Sequence, residues 1–300
     1  MKYSILSLDI SMISFLKKVF LFALIALIGS AIYDVICISY YSLWFSSTCL
    51  STPYSPRKEK ELLPHLCNEF KYLDQGSTSE AFASINGGVV IKFFLEKEYT
   101  SKKRKYIPIV NYIASIKKKL KLKKNYCEGC INSRLLLNDE SGIIYYHFSP
   151  TNFLKKSIVF YDKNGKRKEI DMDKSFYYIQ KEAIVSGDYI NECIQSGNDT
   201  QAFLAITDLL SFTKRLYDQG IVMVDLQLTS NFGFIDGELI RIDTEHVNFK
   251  KSWKKVHKKH LKEQLANFRF WISSNYPVIF RDHFDKEISR LNIEYFTNDI

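Results

Sequence analysis

The spacing of apolar positions changes several times along the chain, and each change marks a different kind of element. Between Lys18 and Arg57 the only formal charge is Asp34, and the densest run inside it, Val19 to Tyr33, is apolar on nearly every face. An all-round apolar run predicts a membrane-crossing helix rather than the one-sided helix of a soluble protein. At about 1.5 Å per residue this run reaches only roughly 22 Å of the roughly 30 Å of bilayer hydrocarbon, so it must extend. It can borrow Ile13 to Leu16, with Lys17 and Lys18 snorkelling to the headgroups, or run on toward Tyr40, Tyr41 and Trp44 as interfacial aromatics. Burying Asp34 unpaired costs about 2.5–3.5 kcal/mol, which favours a place for it near an interface. Residues 1–45 are thus read as a single-pass N-terminal anchor. A cleaved secretory signal ending at Gly29-Ser30-Ala31 and a buried core helix are the competing accounts. Basic residues lie on both sides, but the proximity of Lys17 and Lys18 favours an N-terminus inside.

Residues 46–64, rich in Ser, Pro and charge without an apolar period, predict a linker, and the folded part begins near His65. FKYLDQ, EAFASI and VVIKFF read as strands, the last two joined across Asn86-Gly87-Gly88, a hairpin signal. A basic stretch from Lys97 to Lys124 interrupts the strands. GIIYYHF, KSIVFYD, KRKEIDMD and FYYIQKEAI resume them, with Lys163-Asn164-Gly165 as another turn. From Thr200 the period becomes helical: Ala202, Phe203, Ile206, Leu209, Leu210, Thr213, Leu216 and Tyr217 recur at three and four, up to a Gly220 suited to a left-handed cap. Short strands IVMVD, FGFID and ELIRID follow, with Asp236-Gly237 as a tight turn, and the remainder reads helical. Sheet first, then helix, hairpin and helices makes an α+β domain.

The chemistry concentrates in GIVMVDLQLTSNFGFIDGELIRIDTEH, which puts Asp225 just after a strand, Asn231 six positions on and Asp243 at the end of the next hairpin. A carboxylate that orients a hydroxyl, beside an amide oxygen and a second carboxylate as hard ligands for Mg²⁺, is what phosphoryl transfer from a nucleotide requires.

Here the chain resembles the protein-kinase-like superfamily, and more loosely divergent bacterial, membrane-anchored kinase-like proteins, over roughly His65 to the C-terminus. LDQGSTSEAFASINGGVVIKFF is similar to a glycine-rich loop, hairpin and third-strand lysine. The resemblance implies that Gly76, Ser77, Thr78 and Ser79 cradle phosphates and that Lys92 contacts them. FYYIQKEAI resembles the strand leading into the interlobe hinge. Asp225 matches the catalytic-loop aspartate, Asn231 its metal-binding asparagine, and Asp243 the metal-binding aspartate, with the family's separation of eighteen positions between the two acids. The implied fold is two-lobed, with a mainly β, antiparallel N-lobe over 65–183 and a mainly α C-lobe over 184–300; the implied ligands are ATP and Mg²⁺. Several residues depart from the family pattern. The loop has one glycine in place of three, Met223-Val224 replace His-Arg, Asn231 comes one residue late, and Thr244-Glu245 replace Phe-Gly. A helix-borne acid for Lys92 is poorly defined, since Glu96 and Glu98 precede the basic stretch and the next is Glu128. Either an active kinase or a pseudokinase without turnover fits this set.

Composition excludes a disordered chain: 46% of the 300 residues are hydrophobic and 15% aromatic. The net charge of +9 is concentrated in two runs. Lys102 to Lys105 with Lys117, Lys118, Lys119, Lys121, Lys123 and Lys124 form the first, and KKSWKKVHKKHLK from Lys250 the second. Each reads first as a solvated helix face and next as a contact for anionic lipid headgroups; nucleic acid is disfavoured because no recognised module accompanies them. Six cysteines make no disulfide framework in so long a chain, and Cys127-Glu-Gly-Cys130 lacks the second pair a zinc site needs. His257 and His260 share a helical spacing without an acidic ligand beside them. No hydrolase nucleophile elbow and no Walker phosphate loop is present.

Overall fold

The computed structural model describes residues 10–47, 64–95, 108–223, 225–244, 247–249 and 254–293. It divides into two compact units, Met1–Thr48 with Glu96–Leu122, and Cys49–Leu95 with Lys123–Ile300.

The first unit is built on one 38-residue helix, α1 (Ile10–Ser47). It covers both extensions the apolar run allowed. Within it Lys18–Tyr40 is long and apolar enough to cross a membrane, and none of that window is buried in the protein. Phe20 and Phe22, for example, are both largely exposed. The window contains Asp34, so a span centred on it carries that residue inside the hydrocarbon, whereas a span borrowing Ile13 to Leu16 leaves it at the edge. The second helix of the chain, α2 (Pro108–Leu137), contributes its first half to this unit.

The second unit is α+β. Its strands are β1 (Phe70–Gln75), β2 (Ser79–Ser84), β3 (Val89–Phe94), β4 (Ile143–His147), β5 (Ser157–Tyr161), β6 (Arg167–Asp171) and β7 (Tyr177–Lys181). They form one seven-stranded sheet in the order β4-β7-β3-β2-β1-β5-β6. The expected antiparallel sheet holds at every pair except β1 with β5, which run parallel (Phe70 opposite Phe160). Both glycine turns occur as the sequence predicts, with Gly87, Gly88 and Gly165 at positive φ.

Alternation assigns the two faces. Ile91 and Phe93 point into a core with Phe70, Phe82, Phe160 and Tyr177, whose rings meet edge to face and stacked at 5.0–5.9 Å. The intervening Val90 and Lys92 therefore share the other face, opposite Gln180 and Tyr178 of β7.

After β8 (Ile184–Val185) come α3 (Ser186–Gln195), α4 (Asp199–Asp218), β9 (Ile221–Met223), β10 (Phe232–Ile235), β11 (Glu238–Arg241), β12 (Val247–Phe249), α5 (Lys254–Asn275) and α6 (Val278–Arg290). Helix α4 starts at the Asn198 cap, whose side chain accepts from the Gln201 amide, and ends before Gly220 at φ 73°. Its stripe of Ala202, Ile206, Leu209, Leu210 and Leu216 packs a second core with Leu265 and Ile272 of α5 and Phe284 of α6. One core lies beneath the sheet and one among the helices. The linker expected at 46–64 lies, apart from its ends, outside the described residues, as do Lys102 to Lys105.

Candidate functional site

Sheet and hairpin meet at a cleft of about 530 Å³ in the second unit. Gly76, Ser77, Thr78, Ser79, Lys92, Asp225, Asn231 and Asp243 all line it, joined by Val90, Gln180 and the segment from Lys181 to Val185. The residues singled out from sequence come from separated stretches of chain, and folding brings every one of them to the same cavity.

The roof is the β1–β2 turn. Gly76 N–H donates to the Ser79 carbonyl at 2.9 Å, and Leu95 N–H ties the Thr78 carbonyl to the end of β3 at 2.8 Å. Gly76 does not occupy the left-handed region, and a Cβ there would meet only Ser79 O at 3.7 Å, so the turn does not require its glycine. The Thr78 hydroxyl is buried and has no hydrogen-bond partner among the described residues.

Lys92 follows from the period-two pattern of β3. It does not lie on a solvated face: its ammonium is half-buried, donates to the Ile242 carbonyl and sits 5.7 Å from the centre of the Tyr178 ring. Among the described residues no carboxylate reaches it. Glu128 of α2 instead pairs with Lys124 at 3.5 Å, and Glu96 and Glu98 lie outside the described residues. Facing β3, α2 presents apolar and small groups: Tyr126 donates to the Lys92 carbonyl at 3.3 Å, and Ser133 to the Thr244 carbonyl at 2.9 Å. Cys127 and Cys130 are buried on this helix, and among the described residues no three His, Cys, Asp or Glu side chains cluster to hold a metal.

The floor is the segment from Asp225 to Asn231. Leu226 and Leu228 are buried in the helical core and anchor it. Ser186 Oγ donates to the Leu228 carbonyl at 2.5 Å, and Gly187 N–H to that of Thr229 at 2.9 Å, so the start of α3 holds the turn. Asn231 reaches back along the segment, with Nδ2 3.3 Å from the Asp225 carbonyl. Its own carbonyl accepts from Ile242 N–H at 3.0 Å and Asp243 N–H at 3.3 Å, which sets Asn231 beside Asp243.

Two side chains at this site escaped the sequence reading. Arg241 is fully buried, donating from Nη2 to the Asp225 carbonyl at 3.0 Å and from Nη1 to Met223 Sδ at 2.8 Å. Burial pushes its pKa down, while the charges of Asp243 and Asp225 oppose that shift. Gln180, also buried, donates through Nε2 to the carbonyls of Ser141 and Arg241, both at 2.7 Å, and so ties β7 to β11. A lone cation in the apolar strand ELIRI, two residues before a candidate metal ligand, was the available signal for Arg241.

The donor set consists of hard oxygen donors, the kind a divalent ion such as Mg²⁺ takes. Asn231 could offer one amide oxygen and Asp225 and Asp243 one or two carboxylates from the cleft wall.

No protein-family model and no curated protein matches the chain. Three solved structures of WbdD, described as a bifunctional kinase-methyltransferase, one of them with the kinase inhibitor LY294002, align at 14% identity. They cover 71–73% of this chain and 43–45% of that one, with TM-scores of 0.31–0.34. This chain thus matches less than half the length of WbdD, and with so low a TM-score the overlap carries no argument about mechanism.

Proposed function

We propose that this protein is a membrane-anchored kinase-like protein that binds ATP with Mg²⁺ and transfers the γ-phosphate to a hydroxyl acceptor. The observation that carries this reading is the convergence of Gly76–Ser79, Lys92, Asp225, Asn231 and Asp243 on one cleft of nucleotide-accommodating size. Lys92 holds phosphate oxygens. Asp225 orients the acceptor hydroxyl and takes its proton as the acceptor oxygen displaces the bridging oxygen at the γ-phosphorus. Asn231 and Asp243 hold Mg²⁺, which when bound neutralises charge on the phosphates. The segment Lys181–Ala183 lines the cleft beside β3, where a base would lie. The apolar window of α1 serves as anchor, and the lysines between Lys117 and Lys124 meet anionic headgroups.

A second reading, a pseudokinase that binds partners at the membrane without turnover, is favoured by one contact. The Lys92 ammonium rests on the Ile242 carbonyl and, among the described residues, lacks the acid that would hold it toward phosphate.

The test is nucleotide binding by the full-length protein in detergent, with Mg²⁺, beside Lys92→Ala and Asp243→Asn. Each substitution is expected to weaken ATP binding about tenfold or more. Binding unaffected by both removes the site assignment, and no binding by the wild type removes the ATP reading. Phosphate transfer from bound ATP, measured on the same preparation, separates kinase from pseudokinase.

A further inference from the structure

We propose that Ser133 and Gln180 are positioning residues: together they hold the main chain on either side of Asp243, so that this residue keeps its place when Lys92 leaves the same segment for a phosphate. The clamp stands on hydrogen bonds within the second unit; its use at a metal ion rests on the nucleotide reading above.

Strand β11 is the edge of its three-stranded sheet, so its outer side and the residues that follow have no strand to pair with. The amides of Ile242 and Asp243 find the Asn231 carbonyl. The carbonyls find side chains from three elements that precede the hairpin: Gln180 of β7 donates to Arg241, Lys92 of β3 to Ile242, and Ser133 of α2 to Thr244. These three contacts differ in whether they can be released. Ile242 lines the cleft, so its carbonyl can turn to water when the lysine departs. Arg241 and Thr244 are fully buried, and a carbonyl there cannot turn to water when its donor is lost.

The side chains are committed accordingly. A serine hydroxyl inside a helix ordinarily returns to its own helix or faces water, but Ser133 is 0% exposed and its hydroxyl crosses to the Thr244 carbonyl at 2.9 Å. Gln180 Nε2 donates to the Ser141 and Arg241 carbonyls, and because a carbonyl only accepts, the amide nitrogen must face them. Gly142 leaves room for this: it sits at φ 61°, and a Cβ there would come within 3.3 Å of Gln180 Cγ. With two fixed donors and one exchangeable one, Lys92 can trade the Ile242 carbonyl for phosphate oxygens without freeing Asp243.

The first test needs no nucleotide. Amide hydrogen exchange of the full-length protein in detergent is followed over residues 238–244 and, as an internal reference, over the β5–β6 hairpin. Ser133→Ala and Gln180→Met are each expected to speed exchange at Ile242 and Asp243 about tenfold or more with the reference unchanged, and Lys92→Met to have the smaller effect. Unchanged exchange in Ser133→Ala, equal acceleration in both stretches, or a larger effect from Lys92→Met overturns the proposal. Ser133→Ala decides alone if Gln180→Met fails to fold.

The second test measures the affinity of a non-hydrolysable ATP analogue in chelator and across a Mg²⁺ titration. Ser133→Ala is expected to raise the Mg²⁺ concentration needed for half-maximal enhancement of binding about tenfold, and to leave affinity in chelator within about twofold of wild type. An unchanged Mg²⁺ requirement, or equal losses with and without Mg²⁺, overturns the metal part. A wild type that binds under neither condition overturns the nucleotide reading and that part together, while hydrogen exchange still decides the clamp.

Discussion

Lys92 and His147 show how the same fold can hold a polar side chain in quite different ways. Lys92 reaches out of the sheet to the opposite wall, whereas His147 is sealed inside it. The Nδ1 of His147 lies 2.7 Å from the Ser175 carbonyl, which only accepts, so Nδ1 carries a proton; Nε2 lies 2.9 Å from the Thr151 hydroxyl, which also contacts Asp173. Asp173 further accepts from Lys155 N–H at 2.6 Å. This network joins β4 to the turns flanking β5 and β6. Burial pushes the His147 pKa below its ordinary value, against the pull of the Ser175 carbonyl and the Asp173 charge. Below about pH 6.5 the unfolded chain therefore binds a proton at this position that the folded chain resists, so stability falls as pH drops through that window. Urea midpoints for wild type and His147→Phe at about pH 7.5 and 5.5 should show the larger acid loss in wild type. Equal losses would mean that His147 does not contribute. Thr151→Val should cost about 1–3 kcal/mol at neutral pH by leaving buried polar atoms unpaired.

At the scale of elements, the hairpin β10–β11 positions most of the site. Asp236 and Gly237, both at positive φ, close it as its sequence predicts, and β8 adds to its other side through Val185 opposite Gly233. The fit is tight: a Cβ on Gly233 would lie 2.8 Å from both the Ala183 Cβ and the Ile184 carbonyl. Since a main-chain atom cannot step aside, Gly233→Ala should force β8 from β10, destabilise the protein by about 1–3 kcal/mol and shift the cleft segment Lys181–Val185. An unchanged unfolding midpoint would show that the pairing yields at little cost. Periodicity located β3, β7 and α4 with nearly their observed limits. It gave no hint that the β5–β6 hairpin joins β1 with a parallel pair, because that choice depends on which sheet edge is open, not on the strand's own pattern.

At the scale of the molecule, the chain combines an apolar helix with a folded unit whose cleft gathers charged groups. If α1 anchors the protein, alkaline extraction should leave the full-length chain in the membrane pellet while peripheral proteins are released. Recovery in the supernatant would rule out a transmembrane helix. Orientation then matters for function, because Lys17 and Lys18 favour an N-terminus inside, which would set the folded unit on the side away from cytosolic ATP. Protease protection of sealed vesicles reports that side directly.

What the sequence determined by itself was local. Alternation in VVIKFF set Lys92 on the face opposite Ile91, three-and-four spacing made α4, glycine turns closed the hairpins, and the uncharged run around Asp34 made α1. Gly76, Lys92, Asp225, Asn231 and Asp243 stand out in one dimension because motif spacing is a property of the sequence itself. Tertiary structure decided the partners. That Lys92 meets the Ile242 carbonyl, that Glu128 turns to Lys124, and that Arg241 lies buried with a hydrogen bond to the Asp225 carbonyl depend on residues up to 150 positions apart. No local pattern encodes such distances. They follow from burying two apolar cores at once, which fixes where the sheet and the hairpin meet and so which charges must answer one another.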